Sequence, residues 1–182
     1  DCDESASGEL VIPSSYNGKP VTKIGENAFI DCSSLTTVTI GDSVTSIGLD
    51  AFRNCSSLTS VTIPDSVANI EHGAFLSCSS LTSIEVNQEN ENYSTENGVL
   101  FNKKKTSLIH FPAGKSAQYT IPNSVSSIGG YAFFECSSLS NIIIPESVIS
   151  IAEGAFYACT SLTSVIIPNS VTSLGDRAFQ SC

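Results

Sequence analysis

The amino-acid sequence predicts a repeat solenoid: short β-strands stacked into a sheet, brief helical turns on the opposite side, and one irregular unit carrying a β-hairpin. Three observations predict it. An Ala-Phe pair places its phenylalanine at Phe29, Phe52 and Phe75, and again at Phe133, Phe156 and Phe179, 23 residues apart within each group. A cysteine follows three residues later each time, at Cys32, Cys55, Cys78, Cys136, Cys159 and Cys182. Apolar and small polar residues alternate between these pairs, as a strand with one buried face requires. No such unit can bury its apolar set alone, but stacked units cover one another.

Each unit reads close to I-P-x-S-V-x-x-I-G-x-x-A-F-x-x-C-S-S-L-T-S-V-x. Leu58, Val61 and Ile63 alternate with Ser60 and Thr62, which predicts a strand. Pro64 ends it, because proline brings no N–H to a ladder, and Pro-Asp-Ser makes a turn. A second brief strand is expected within Val67 to Ile70, and one helical turn around Ala74-Phe75 would point Phe75 inward. Two units break the period. The first carries five extra residues around Tyr16-Asn17-Gly18-Lys19-Pro20, and the gap from Val86 to Ile121 is 35 residues. That second unit lacks Ala-Phe-x-x-Cys. Its apolar runs Val99-Leu100-Phe101 and Leu108-Ile109 flank N-K-K-K-T-S and predict a hairpin. The chain therefore reads as one solenoid domain over 1–182, with regular repeats over about 10–86 and 121–182 and the irregular unit at 87–121. Because the last unit stops before its S-S-L-T-S-V strand, the protein is expected to continue past Cys182.

Composition narrows the function. Eighteen acids against eight Lys and Arg give a net charge of −10, which disfavours nucleic acid and anionic membrane surfaces. The one basic run, Lys103 to Lys105, reads as a solvated turn. No stretch reaches the roughly 18 apolar residues of a membrane span. The sequence contains no Met, as expected of a processed or trimmed piece.

The polar clusters favour no reaction. Six cysteines share one repeat position without a C-x-x-C pair, so they read as small buried hydrophobes rather than zinc ligands. Reduced, buried thiols are expected at Cys55, Cys78 and Cys159; Cys2, outside the ladder, is expected to be free. His72 occupies a variable repeat position and His110 a hairpin strand, so neither is placed beside a nucleophile by sequence. Asp42, Asp65 and Glu146 recur at a turn. Glu89, Glu91 and Glu96 lack the spacing of a calcium loop and read as a solvated acidic loop. Asn54-Cys55-Ser56 and Asn92-Tyr93-Ser94 match the glycosylation triplet, with Asn92 the better acceptor, relevant only in a eukaryotic secretory pathway. No catalytic residue, metal or cofactor is expected, and the chain is not expected to be an enzyme.

From about Leu10 to Cys182 the repeat resembles that of the BspA-like leucine-rich-repeat proteins, and N-Y-S-T-E-N-G-V-L-F-N-K-K-K-T-S-L-I-H-F-P resembles the variant unit that interrupts such arrays. The resemblance implies a leucine-rich-repeat-type solenoid that is secreted or at the cell surface, and adhesion to matrix proteins, other cell-surface proteins or glycans. It brings no catalytic residues. Gly41 in place of proline, and Glu71 and Ala152 in place of glycine, are departures at turns. The binding surface expected is the outward strand face. One column there holds Thr37, Ser60, Ser83, Asn141 and Ser164; its neighbour holds Thr39, Thr62, Glu85, Ile143 and Ile166. The two isoleucines mark either an apolar contact patch or β-propensity alone. A structural spacer within a larger surface protein or multidomain enzyme is the alternative function.

Overall fold

The computed structural model describes residues 7–115 and 117–182. The chain winds into a β-solenoid of about seven turns. In the N-terminal half, strands Gly8–Ile12, Leu35–Ile40, Ser60–Ile63 and Ser83–Val86 pair in parallel, in that order. Beside them runs a second parallel ladder of two-residue strands, Lys23–Ile24, Ser46–Ile47 and Asn69–Ile70. In the C-terminal half Gln118–Thr120 pairs with Asn141–Ile143, while Ser127–Ile128, Ser150–Ile151 and Ser173–Leu174 form the second ladder. The alternation predicted from sequence sets the register: Val61 and Ile63 are buried and Thr62 is exposed.

The helical turn expected around each Ala-Phe pair does not form. Two left-handed residues bracket each pair, for example Asp50 and Asn54 (φ 51° and 61°) or Tyr131 and Glu135 (both φ 53°). Only three residues remain between them, too few to close helical i→i−4 bonds. Alternate amides turn to the next layer instead, and those between them close local i→i−3 turns, as Arg53 N–H does on Asp50 O at 3.1 Å. Phe52 N–H donates to Ala74 O at 2.9 Å, Phe133 N–H to Ala155 O at 2.8 Å and Phe156 N–H to Ala178 O at 2.7 Å. The phenylalanines consequently stack ring on ring, at 5.2 Å for Phe29–Phe52 and 4.7 Å for Phe133–Phe156.

The cysteine and serine columns also bond between layers. The Cys78 thiol donates to Phe52 O at 3.1 Å and Cys159 to Phe133 O at 3.0 Å. The Ser66 and Ser147 hydroxyls each donate at 2.7 Å to a carbonyl of the previous layer, that of Val44 and that of Val125. Cys55, Cys78 and Cys159 are free and buried, and burial raises the Cys136 thiol well above its usual range. Cys32 departs from this pattern. It is disulfide-bonded, whereas the other five ladder cysteines are free, so its bond does not join two rungs. The expectation for Cys2 lies outside the described residues.

The irregular unit is a three-stranded antiparallel meander, Tyr93–Glu96, Val99–Asn102 and Ser107–His110. The hairpin around the lysines is the second of its two. The first turns at Asn97-Gly98, where φ is 52° and 75°. Both positions need a left-handed backbone, and a Cβ on Gly98 would also sit 2.6 Å from Ser83 Oγ. The five-residue insertion of the first unit uses the same device, Asn17-Gly18 between Ser15–Tyr16 and Lys19–Pro20. Asn90 anchors the meander: fully buried, it donates to Pro64 O and Val67 O at 2.7 and 2.9 Å and accepts the amides of Asn92 and Tyr93. The Tyr93 hydroxyl accepts the Ile70 amide at 2.9 Å, where the next two-residue strand would have been. On the far side Ser107–His110 joins Ser127–Ile128 in parallel and restarts the ladder.

One strand predicted from sequence is absent. Residues 162–168 adopt no strand, and in this last layer Ile167 and Leu174 are 41% and 53% exposed, although their counterparts Ile144 and Ile151 are buried. A strand with a neighbour on one side only is held by half the usual bonds.

Two outcomes follow from this geometry. Ala158 holds a left-handed φ of 57° where Asn54 supplies a better-suited residue, its side chain donating to Asp31 Oδ1 at 2.6 Å. Ala158→Asn should stabilise the fold by about 0.5–1 kcal/mol and raise the calorimetric midpoint by about 1–4 °C. Asn90→Ala strands two buried carbonyls and two amides, and should cost about 2–4 kcal/mol in urea denaturation.

Candidate functional site

Eight of the ten expected face residues lie on paired strands in two columns, while Ser164 and Ile166 fall in the segment 162–168 that forms no strand. Parallel pairing aligns Val11, Thr39, Thr62 and Glu85, and, beyond the meander, Thr120 with Ile143. Thr39, Thr62, Glu85, Asn141, Ile143, Ser164 and Ile166 are exposed, while Thr37, Ser60 and Ser83 are half-buried between neighbouring strands. Thr39 Oγ1 donates to Glu9 Oε1 at 3.3 Å, and Ser83 Oγ bonds Glu85 Oε1. Ile143 is 55% exposed and Ile166 86%. Because residues 162–168 form no strand, the isoleucines are not paired neighbours in a ladder. They line a shallow hollow of about 240 Å³ together with Asn141, Ile142, Ile144 and Ser164. Ile166 owes part of its exposure to the loose last layer. Ile143 belongs to a strand that is paired on one side, with Gln118–Thr120, and whose other edge faces the same loose layer.

The charged residues singled out by sequence are tied into local structure. Lys103 donates its ammonium to the carbonyls of Gln88 and Asn90, and Lys105 pairs with Glu96 at 2.6 Å. Glu89 and Glu91 are exposed near Asp42 and Asp65 around an open depression. Among the described residues no three His, Cys, Asp or Glu side chains gather to hold a metal, and no helix is long and apolar enough to cross a membrane.

A second feature, not legible from sequence, lies where the two halves meet. The meander separates two apolar cores: Leu100 packs into the N-terminal one, and Val99, Phe101 and Leu108 into the C-terminal one. Phe111 takes the ladder phenylalanine's place, donating its amide to Ala132 O at 2.8 Å and stacking on Phe133 at 4.9 Å. His110 then falls where every regular unit has alanine. Its ring lies 6.1 Å from that of Phe75, and its Nε2 has no hydrogen-bond partner among the described residues. A hollow of about 250 Å³ opens beside it, with His72 and Tyr131 also in its lining. The two rings meet edge to face at 5.0 Å. Neither imidazole bonds a serine or cysteine among the described residues.

Burial lowers the His110 pKa to about 4. The unfolded chain takes up this proton near pH 6.5, so stability that is full above that pH is lost as the pH falls through about 4. The gap is worth about 3 kcal/mol at roughly 1.4 kcal/mol per pH unit. The urea midpoint should fall between pH 7 and pH 4.5 by clearly more in the wild type than in His110→Leu; equal falls would place the acid sensitivity elsewhere.

Comparison with known proteins fits this architecture. No curated protein matches the chain by sequence. Several crystal structures of bacterial proteins resemble it, three of them as follows. The pneumococcal vaccine antigen PcpA aligns over 92% of this chain at 28% identity and a TM-score of 0.77. A leucine-rich cell surface protein from Faecalibacterium prausnitzii aligns over 98% at 30% identity and 0.73, and a leucine-rich repeat protein from Eubacterium ventriosum over 94% at 28% and 0.66. The chain spans 47%, 52% and 62% of those three proteins respectively. The BspA-type leucine-rich-repeat region matches in six copies over residues 8–117 and 110–182. With its repeats matched over nearly the whole sequence and its layers stacked as described, the chain belongs to the BspA-type leucine-rich-repeat family.

Proposed function

We propose that this chain is a protein-interaction or adhesion module, displayed at a cell surface or secreted, that engages a matrix or cell-surface partner with the C-terminal part of its strand face. One observation carries this reading. Ile143 is 55% exposed on a strand paired with Gln118–Thr120, in a column that holds Thr39, Thr62, Glu85 and Thr120 elsewhere and an exposed Val11 at its N-terminal end. Solvated strand faces favour threonine and serine. A large apolar side chain held out beside a second, over a shallow hollow, suits an apolar contact. The two similar structures described as a cell surface protein and a vaccine antigen support the location.

The test is binding of the chain to immobilised fibronectin, laminin, collagen and a glycan array, compared with the double variant Ile143→Thr, Ile166→Thr. Threonine fits a strand, so the fold should survive. Burying two such side chains contributes roughly 3–6 kcal/mol before association costs, so at least one surface should lose tenfold or more of its affinity. Binding that does not change, or no binding to any surface, would favour the spacer reading.

A further inference from the structure

The geometry points to a second binding site, at the seam between the two stacks, for a small uncharged ring bearing a hydroxyl group, of which a phenol is the type. Among the described residues the seam is the one break in the back-face ladder. Amides bond from layer to layer as far as Asn54 to Leu76 and resume from Phe111 to Ala132. Among the described residues no backbone bond crosses from residues 73–77 to 110–112. The hollow of about 250 Å³ opens at this break. A cavity of about 150 Å³ accommodates benzene, so the space fits one substituted ring.

Two departures from the repeat keep the site open and equip it. The first is Gly130. Regular units carry Glu26, Leu49, His72, Glu153 or Asp176 at this position. Gly130 has no left-handed φ, and a Cβ there would meet Glu153 O at 3.4 Å and His72 Nε2 at 3.5 Å, both ordinary contacts. The backbone therefore does not require glycine. Its effect is to leave the hollow unfilled. The second is His110, 8% exposed in the alanine slot, with Nε2 buried and unpartnered among the described residues, and with the residue itself in the lining of the hollow. An unpaired buried nitrogen is costly, and a ligand that bonds it recovers that cost.

The remaining walls define the ligand's chemistry. Phe75, Leu76, Leu100 and Ile109 are apolar, and His72 and Tyr131 add ring edges, which suits a flat ring. No lysine or arginine lines the hollow, and Glu71 does, so a carboxylate or phosphate finds no counter-ion. Glu71 is engaged with the Leu49 amide at 3.2 Å, Tyr131 donates to Glu153 at 3.1 Å and His72 is exposed, leaving His110 as the buried polar group to be satisfied. A neutral imidazole presents either a donor or an acceptor at Nε2. A hydroxyl can meet both. None of these residues lies in the two columns of the strand face, so the site stands independently of the adhesion reading.

The experiment titrates the labelled chain with p-cresol, toluene, 4-hydroxybenzoate and N-acetyl-tyrosinamide, following amide shifts by NMR. p-Cresol should shift Gly130, Tyr131 and their neighbours and bind at least fivefold more tightly than toluene, with no binding by the benzoate. His110→Phe should abolish the preference for p-cresol over toluene. Gly130→Val should block both while leaving the remaining spectrum intact, which keeps the test decisive if the histidine variant misfolds. N-acetyl-tyrosinamide separates the sources: binding supports a partner's tyrosine side chain as occupant, and exclusion supports a free small molecule. Equal affinity for toluene and p-cresol, shifts confined to another region, or no response to p-cresol at millimolar concentration would overturn the proposal.

Discussion

In this solenoid alternate back-face amides of one layer are satisfied by the carbonyls of the next. Left-handed residues such as Asp50 and Asn54 leave too little chain between them for a helix, so Phe52 N–H turns to Ala74 O. Buried backbone donors cannot go unpaired without a penalty of about 1–3 kcal/mol each. The spacing between layers is therefore fixed by the backbone, and the side chains conform to it. The phenylalanine stack and the thiol and serine bonds to the preceding layer are the side-chain face of the same ladder.

The irregular unit shows what it takes to depart from that rule. Twelve additional residues must be accommodated while the amides on either side still find partners. Tyr93 meets Ile70 with its hydroxyl, Asn90 satisfies Pro64 and Val67, and Phe111 returns the ring stack to register. The substitution is incomplete behind Phe75, where the ladder skips a step and His110 occupies an alanine's place. A polar ring and an open hollow meet at the point where the layering rule is relaxed.

The same rule leaves other positions free. Outward residues such as Thr39, Thr62, Glu85 and Ile143 contribute little to the bonds between layers, so their chemistry can change without disturbing the fold. This separation lets a solenoid present a variable surface on an invariant frame. It also explains why the family match specifies the architecture closely and the ligand hardly at all.

The sequence by itself determined the period, the strand register, the buried Phe and Cys columns and the hairpin around the lysines, because all of these repeat or alternate within a short window. The hairpin at Asn97-Gly98 was equally local, and that dipeptide is its signal. Other features required the tertiary structure. Whether three residues between two left-handed positions form a helical turn depends on the next layer's carbonyls. That Phe111 stands in for an Ala-Phe pair, and His110 for alanine, is invisible until the meander's path returns the chain to the ladder. The loosening of residues 162–168 depends on neighbours that periodicity does not count. Local pattern specified each layer; the contacts across the seam and at the last layer join residues whose separation the repeat does not set.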